Sequence, residues 1–559
     1  DFTNTEKNRI YQLDYAKAAV NGKKSIQISN IMPHFDEPAN SVYVPYPVLI
    51  QGTLEEEGFD PAAFELIDDI ITKDLEYGFT SAQLAIIRHG KLVYNNTWGY
   101  LNSYDQQGNE LKDKVAANND TMYDLASVSK MFGPNFALQK LVSEGKIDPE
   151  AKVADYLGER FYEDTLDFTY TGGADPGYET MKQWKASLKI SDLLKHEGGF
   201  PAAPRYFNQY VDAPSQDYSP LYDNILFSGY EHSAQTKENT IEAICKTPLL
   251  YKPGSRTLYS DVDFMILGYI VEIVSGLPLD QYMKENFFKP LNLSRITYNP
   301  LENGYSKDDC AATELNGNTR DGSVVFPGAR THTLQGEVHD EMSWYSMNGV
   351  SGHAGLFSNA ADLAKLAYTM FSGGYGYDKF FERNVIDYFI STKSYDKGNY
   401  GLGWARQGDE ERPWYYGTQT YSDTVGHQGW TGTLAMIDFE RDIVMVYLTN
   451  KINSPIRDRI ANPNGFRGSW YTAATLGFVP QLFSIGLDQN GDHHKQLLSL
   501  LEQMTYDSIN LIPENADQNH PGILNALSKI EVFRKWVSEY GDDKDKDALK
   551  RLEDFYNGR

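Results

Sequence analysis

Ser127 and Lys130 stand three residues apart in Tyr123-Asp124-Leu125-Ala126-Ser127-Val128-Ser129-Lys130. On a helix that begins at the serine, that spacing puts an amine beside a hydroxyl on one face. A serine hydroxyl becomes an effective nucleophile once a neighbouring base takes its proton. A lysine desolvated among apolar or cationic neighbours loses its charge more readily and can serve as that base. The positive end of the helix dipole would favour negative charge developing on the serine oxygen. Spacing alone is a weak signal. Ser143 with Lys146 and Ser394 with Lys397 match it as well, and a serine at a helix start is most often an N-cap.

Three distant segments bear on this pair. Tyr259 lies in Leu258-Tyr259-Ser260-Asp261, in the loop just before a helical pattern over 262–275, with Asp261 read as its N-cap. Gly426-His427-Gln428-Gly429-Trp430-Thr431-Gly432 runs into alternating apolar residues. Gly352-His353-Ala354-Gly355-Leu356-Phe357-Ser358 leads into a further helix. Taken singly, Tyr259 reads as a packed aromatic, His353 as a structural loop residue, and Asp261 as a cap.

Together, and in this order, these motifs resemble the serine β-lactamase and penicillin-binding-protein superfamily, in particular its class C-like branch of DD-peptidases, carboxylesterases and D-amino-acid hydrolases. The resemblance covers roughly residues 60 to 450. It implies Ser127 as the nucleophile that forms an acyl-enzyme, and Lys130 as the base or the group that sets the base's charge. It implies Tyr259 as a proton shuttle, a phenol held partly ionised by nearby cations. His427 stands where many relatives carry lysine. The Ser127 and Trp430 backbone amides would form the oxyanion hole, and Asp261, Gln428 and Gly429 would contact substrate. Asp261 in place of asparagine and His427 in place of lysine argue against efficient β-lactam hydrolysis and suit the peptidase and esterase members. Gly336-Glu337-Val338-His339-Asp340-Glu341 also resembles a loop of penicillin-binding-protein-like members, with no role derivable from its residues.

The elements that must position these groups follow from periodicity. Asp60 and Pro61 open a helix with an apolar stripe of Phe64, Leu66, Ile67, Ile70 and Ile71. Residues 82–88 and 91–98 read as two strands joined by His89-Gly90, and 433–439 with 443–448 as a second hairpin. A helical pattern continues from Lys130 to Gly145, although Pro134 would leave the Lys130 carbonyl unpaired. Such local conflict is more frequent at functional sites. The order of hairpin, helical middle and hairpin predicts an α/β (α+β) fold, one antiparallel sheet flanked by helices with a helical insertion. The expected organisation is an N-terminal extension over 1–58, a hydrolase domain over 59–480 and a helical tail over 481–559. Within the domain, 59–150 and 351–480 form the α/β part and 151–350 the insertion. Residues 300–350, polar and glycine-spotted, are expected to wrap a site mouth.

The chain has 559 residues, 41% hydrophobic, with 39 Tyr and 27 Phe, enough for a large core and unlike a disordered chain. Its net charge of −26 argues against a nucleic-acid binder and against a polyanionic substrate held by charge. Cys245 and Cys310 could pair but form no disulfide framework. There is no metal-spaced His/Cys motif, so no metal or cofactor is expected. No apolar run is long enough to span a bilayer. The expected partner is a small peptide or ester, from the cell wall on the family resemblance, with β-lactams as acylating ligands. An extracytoplasmic location follows from the same resemblance. Three functions fit: a serine hydrolase of D-alanyl peptides or amides, a carboxylesterase or D-alanyl esterase, and a catalytically inactive binding or sensor domain.

Overall fold

In the computed structural model, which describes residues 45–391, 393, 399–408, 412–487 and 491–558, both ends of the chain build one sheet. The reading of 1–58 as an extension falls outside the described residues for 1–44. The strands are β1 (Ile50–Gln51), β2 (Ser81–Arg88), β3 (Lys91–Gly99), β4 (Tyr123–Asp124), β5 (Ile296–Tyr298), β6 (Leu356–Ser358), β7 (Ala405–Arg406), β8 (Val425–Gly429), β9 (Thr433–Asp438) and β10 (Ile443–Thr449). The main sheet runs β1-β3-β2-β10-β9-β8-β7. All its pairings are antiparallel except that of β1 with β3. The turn between β2 and β3 has His89 at φ 46° and Gly90 at φ 78°, the left-handed pair that a tight two-residue hairpin requires. The two predicted hairpins meet where β10 pairs with β2, from Ile443 opposite Arg88 to Thr449 opposite Ala82.

Alternation along the strands gives the sheet two apolar faces. Leu84, Ile86, Leu434, Met436, Met445 and Tyr447 face helix α1 (Pro61–Glu76) and the C-terminal helices. Asp60 caps α1 by accepting from the Ala62 amide at 2.9 Å. Ala85, Ile87, Ala435, Ile437, Val444 and Val446 face the half that carries the site. That half holds α2 (Phe136–Ser143), α3 (Asp261–Ser275) and α4 (Ala360–Ser372).

The stretch read from sequence as a helical tail over 481–559 holds the helices α6 (His493–Asn510), α7 (Pro521–Tyr540) and α8 (Asp543–Asn557), preceded by α5 (Phe478–Gly486), which begins before it. Leu482, Phe483, Leu497, Leu501, Phe533 and Trp536 insert into the same cluster as α1. A buried ion pair joins them: Asp74 of α1 accepts from Lys529 Nζ and Ser528 Oγ, each at 2.6 Å, and from the Ala473 amide at 2.9 Å. A buried carboxylate is tolerated when its lone pairs are filled in this way.

Pro134 is accommodated without breaking the chain's course. Residues 131–135 wind as a wider π turn in which the Phe136 amide reaches the Met131 carbonyl, and regular α2 follows. Asp261 does not cap α3. Ser260 holds the cap position without a side-chain bond, and Asp261 is the first helical residue, turned toward Lys130. Residues 300–350 contribute short helical turns and long irregular stretches. Cys245 and Cys310 are both buried and unpaired. Among the described residues no single helix is long and apolar enough to cross a membrane.

Candidate active site

Ser127 sits on a tight helical turn, Ala126–Val128, that follows β4. The residue before it, Ala126, has φ 47°, a left-handed conformation unusual for alanine and stabilised here by neighbours. Asp124 supplies part of that support, its Oδ1 accepting from the Ala126 amide at 2.9 Å. The glycine-rich motif at 352–358 supplies the rest. Strand β6 pairs with β4, the Leu125 amide donates to the Leu356 carbonyl, and the Leu356 amide donates to Ser129 Oγ. Gly352 lets this segment lie flush on α3, since a Cβ there would stand 1.9 Å from the Phe264 carbonyl. The motif thus clamps the Ser127 turn to the helix that follows Tyr259.

Lys130 is fully buried and its Nζ has three partners: Ser127 Oγ at 2.9 Å, Asp261 Oδ1 at 2.7 Å and the His353 carbonyl at 3.0 Å. Burial alone would push the ammonium down, but the Asp261 carboxylate and the Tyr259 hydroxyl outweigh it and hold Lys130 above the usual lysine range. The lysine is therefore a cation at rest, not a neutral amine. The Tyr259 ring lies beside this pair, its centroid 4.9 Å from Lys130 Nζ, and burial pushes its hydroxyl up to about 12 against the pull of the Lys130 charge. It is a neutral phenol at rest, not a partly ionised one.

His427 is buried beside this group, its ring 6.0 Å from that of Tyr259, with Nδ1 2.7 Å from the Gln428 carbonyl. Burial, with the Lys130 and Arg412 charges, pushes it down to about 3, so the imidazole is uncharged. Gly429 ends β8 against the Ser127 turn. A Cβ there would meet Thr433 Oγ1 at 2.1 Å and the Leu125 carbonyl at 2.4 Å. Thr431 and Thr433 donate to the Asp124 and Leu125 carbonyls, each at 2.8 Å, which ties the Trp430 turn to the segment before Ser127.

Ser127, Tyr259, His427 and Trp430 line a cavity of about 530 Å³ together with Asp261, Gln428, Arg320, His339, Asp340, Glu341, Tyr400, Arg412 and Tyr415. Six of the eight residues expected at the site from sequence line it; Lys130 is buried against Ser127, and Gly429 packs on Leu125 before the Ser127 turn. Arg412 and Arg320 carried no sequence signal. Arg320 is neutralised by Glu314 and Glu341. Arg412 is 8% exposed, lies over the Tyr400 ring and donates from Nε to the Arg406 carbonyl at 3.0 Å. Its Nη2 has no partner among the described residues. His196, which carried no sequence signal either, packs its ring 4.4 Å from that of Tyr259 and takes the Ser260 amide on Nδ1. Its φ of 55° and central position mark it as more than a turn residue.

One trio among the described residues, Asp261, Asp340 and His353, brings metal-ligating atoms within 4.8 Å of one another. Each already has a partner: Asp261 holds Lys130, and Asp340 Oδ1 lies 2.7 Å from His353 Nε2. The trio reads as a charge-balanced support for the lysine.

Residues 67–466 match the family described as Beta-lactamase. A curated relative from Escherichia coli K12, named "Putative D-alanyl-D-alanine carboxypeptidase", is 43% identical over 436 residues, 78% of this chain and 93% of its own length. Among solved structures, EstCE1, titled a hydrolase with promiscuous acyltransferase activity, superposes with TM-score 0.50 at 20% identity over 77% of this chain and all of its own. The octameric penicillin-binding protein homologue from Pyrococcus abyssi gives TM-score 0.51 at 18% identity, covering 80% of this chain and 81% of its own. At those identities the two structures speak for the fold alone. The sheet built from both chain ends, the Ser127–Lys130–Tyr259 cluster and the match over most of the chain agree: this protein belongs to the β-lactamase family.

Proposed function

We propose that the protein is a serine hydrolase that cleaves D-alanyl peptides or amides through an acyl-enzyme, in the manner of a D-alanyl-D-alanine carboxypeptidase. The observation that carries this is Lys130 Nζ at 2.9 Å from Ser127 Oγ and 4.9 Å from the centre of the Tyr259 ring, with Ser127 and Tyr259 lining one cavity. The substrate carbonyl sits over Ser127 with its oxygen toward the Ser127 and Trp430 amides. Ser127 Oγ forms the C–O bond as its proton passes to the Tyr259 oxygen, and the phenol's own proton passes to the departing nitrogen. Water then attacks the ester by the reverse relay. Lys130, an ammonium at rest, stabilises the negative charge that develops on the serine and tyrosine oxygens. Since His427 is uncharged, the cation for a terminal carboxylate falls to Arg412. An extracytoplasmic location is part of this proposal, and it is supported by the similarity to a relative named a D-alanyl-D-alanine carboxypeptidase.

Incubation with a D-alanyl-D-alanine-terminated peptide should release D-alanine, and a fluorescent penicillin or a fluorophosphonate should label Ser127. A folded protein that neither reagent labels would overturn the proposal. An uncharged His427 also suits acyl esters, the second function on this scaffold. If nitrophenyl esters turn over and the wall peptide does not, the esterase function replaces the first.

Two variants probe the assignments. Charge-assisted hydrogen bonds contribute about 1.5–3 kcal/mol. Arg412→Gln is therefore expected to lower kcat/KM for the carboxylate-terminated peptide by roughly 10- to 100-fold, leaving a carboxylate-free ester within about threefold. Equal losses on both substrates would remove Arg412 from carboxylate recognition.

Asp261→Asn tests the charge of Lys130. Removing the carboxylate leaves burial opposed by Tyr259 alone, so the folded-state lysine loses its proton at lower pH. A reaction that needs the ammonium then loses kcat/KM as pH rises, and the alkaline limb moves toward neutrality in the variant. A gain in activity at neutral pH would instead identify the free amine as the working form.

A further inference from the structure

The segment Gly336–Glu341 stood out in the sequence without a role, and its geometry supplies one. Val338 and His339 are buried, and His339 is fixed at three points. Its amide donates to Asp124 Oδ2 at 2.7 Å, its carbonyl accepts from Asn318 Nδ2 at 2.7 Å, and its Nε2 lies 2.8 Å from Glu314 Oε2. The ring is then laid against Trp430, with centroids 5.0 Å apart and planes 23° from parallel. The Arg320 guanidinium lies 5.0 Å from the same indole, and Phe466 meets it edge-on at 5.6 Å. Trp430 itself is 39% exposed, so its indole would be free to swing without this backing.

The two contacts of His339 reach the two halves of one functional unit. Asp124 holds the Ala126 amide and so the strained turn that presents Ser127. Trp430 carries the other amide that would face the substrate oxygen. Resting on the hydrolase function proposed above, we propose that His339 is a positioning residue of the oxyanion hole. Its ring fixes Trp430 while its backbone fixes the Asp124 that braces the Ser127 turn, so the two amides keep one spacing. Oxyanion donors act on the transition state more than on the bound substrate, and a displacement of about 1 Å is worth on the order of 100-fold in rate.

The ring and the backbone contacts are separable by mutation. His339→Ala keeps the amide bond to Asp124 and removes the ring behind Trp430. His339→Phe restores a ring without the bond to Glu314. The expected result for His339→Ala is a kcat lower by about 10- to 100-fold with KM within about threefold. Affinity for a boronic acid that mimics the tetrahedral intermediate falls by the same factor as kcat. His339→Phe returns both to within about threefold of wild type.

Three results would overturn the proposal in an active wild type: unchanged kcat in His339→Ala, a loss confined to KM, or a His339→Phe variant as impaired as His339→Ala. If His339→Ala fails to melt cooperatively, His339→Gln, which keeps a polar contact to Glu314 and lacks the ring, carries the same comparison. A wild type that neither takes the fluorophosphonate label nor turns over peptide or ester overturns the hydrolase function, and this inference with it.

Discussion

Ser127→Ala is expected to melt like the wild type, to take no label from a fluorophosphonate or a fluorescent penicillin, and to lose activity on D-alanyl peptides by about 10³-fold or more. The size follows from the division of labour in the site. Without the hydroxyl no acyl-enzyme forms, and what remains is the contribution of the oxyanion hole and of substrate binding to direct attack by water. Folding should be spared because Ser127 Oγ accepts from Lys130 Nζ and that ammonium keeps Asp261 and the His353 carbonyl. Labelling by intact-mass measurement separates the outcomes. One added label per wild-type chain and none on the variant supports the nucleophile. A variant that retains the label points to another residue, and a variant that retains full biological effect points to the binding or sensor function.

Much of this arrangement was legible in the chain because its signals are local. Ser127 and Lys130 share a spacing, Tyr259 precedes a strongly apolar helix, and both hairpins alternate with turn residues between them. Pro134 announced a conflict inside a helical pattern, and a π turn stands there. What stayed hidden depends on distances between segments. Asp261 looked like a cap because an aspartate before a helix usually is one. Only the 2.7 Å approach to Lys130 reveals it as the partner that keeps the lysine charged. For Lys130, Tyr259 and His427 desolvation was foreseeable, but not the neighbouring charges that outweigh it at Lys130, oppose it at Tyr259 and reinforce it at His427. Arg412 had no chance of being singled out, as an isolated arginine with no periodic context. The C-terminal helices were visible as amphipathic stretches, but their burial on the α1 face of the sheet rests on shape and on the Asp74–Lys529 pair, which lie 455 residues apart.

Tyr259→Phe is expected to keep the fold and lower kcat by about 10²- to 10⁴-fold, the range general acid–base groups contribute. The ring would remain packed against His196 and His427, so substrate binding and KM should change little. What disappears is the hydroxyl beside Lys130 and Ser127. With Lys130 already an ammonium, no other group bonded to Ser127 has a site to receive the serine proton, so the loss should fall on acylation and deacylation alike. Burst kinetics with a nitrophenyl ester resolve the two steps. Loss of both the burst rate and the steady rate supports a two-way relay. An unchanged burst followed by slow turnover would confine Tyr259 to deacylation and return the first proton transfer to Lys130. The leaving group offers an internal control. A nitrophenolate departs without needing a proton, whereas an amide nitrogen cannot. The substitution should therefore cost more on D-alanyl-D-alanine than on the activated ester. Equal losses on both would mean that the phenol acts only by orienting Ser127 and Lys130, and that the proton reaches the leaving nitrogen by another path.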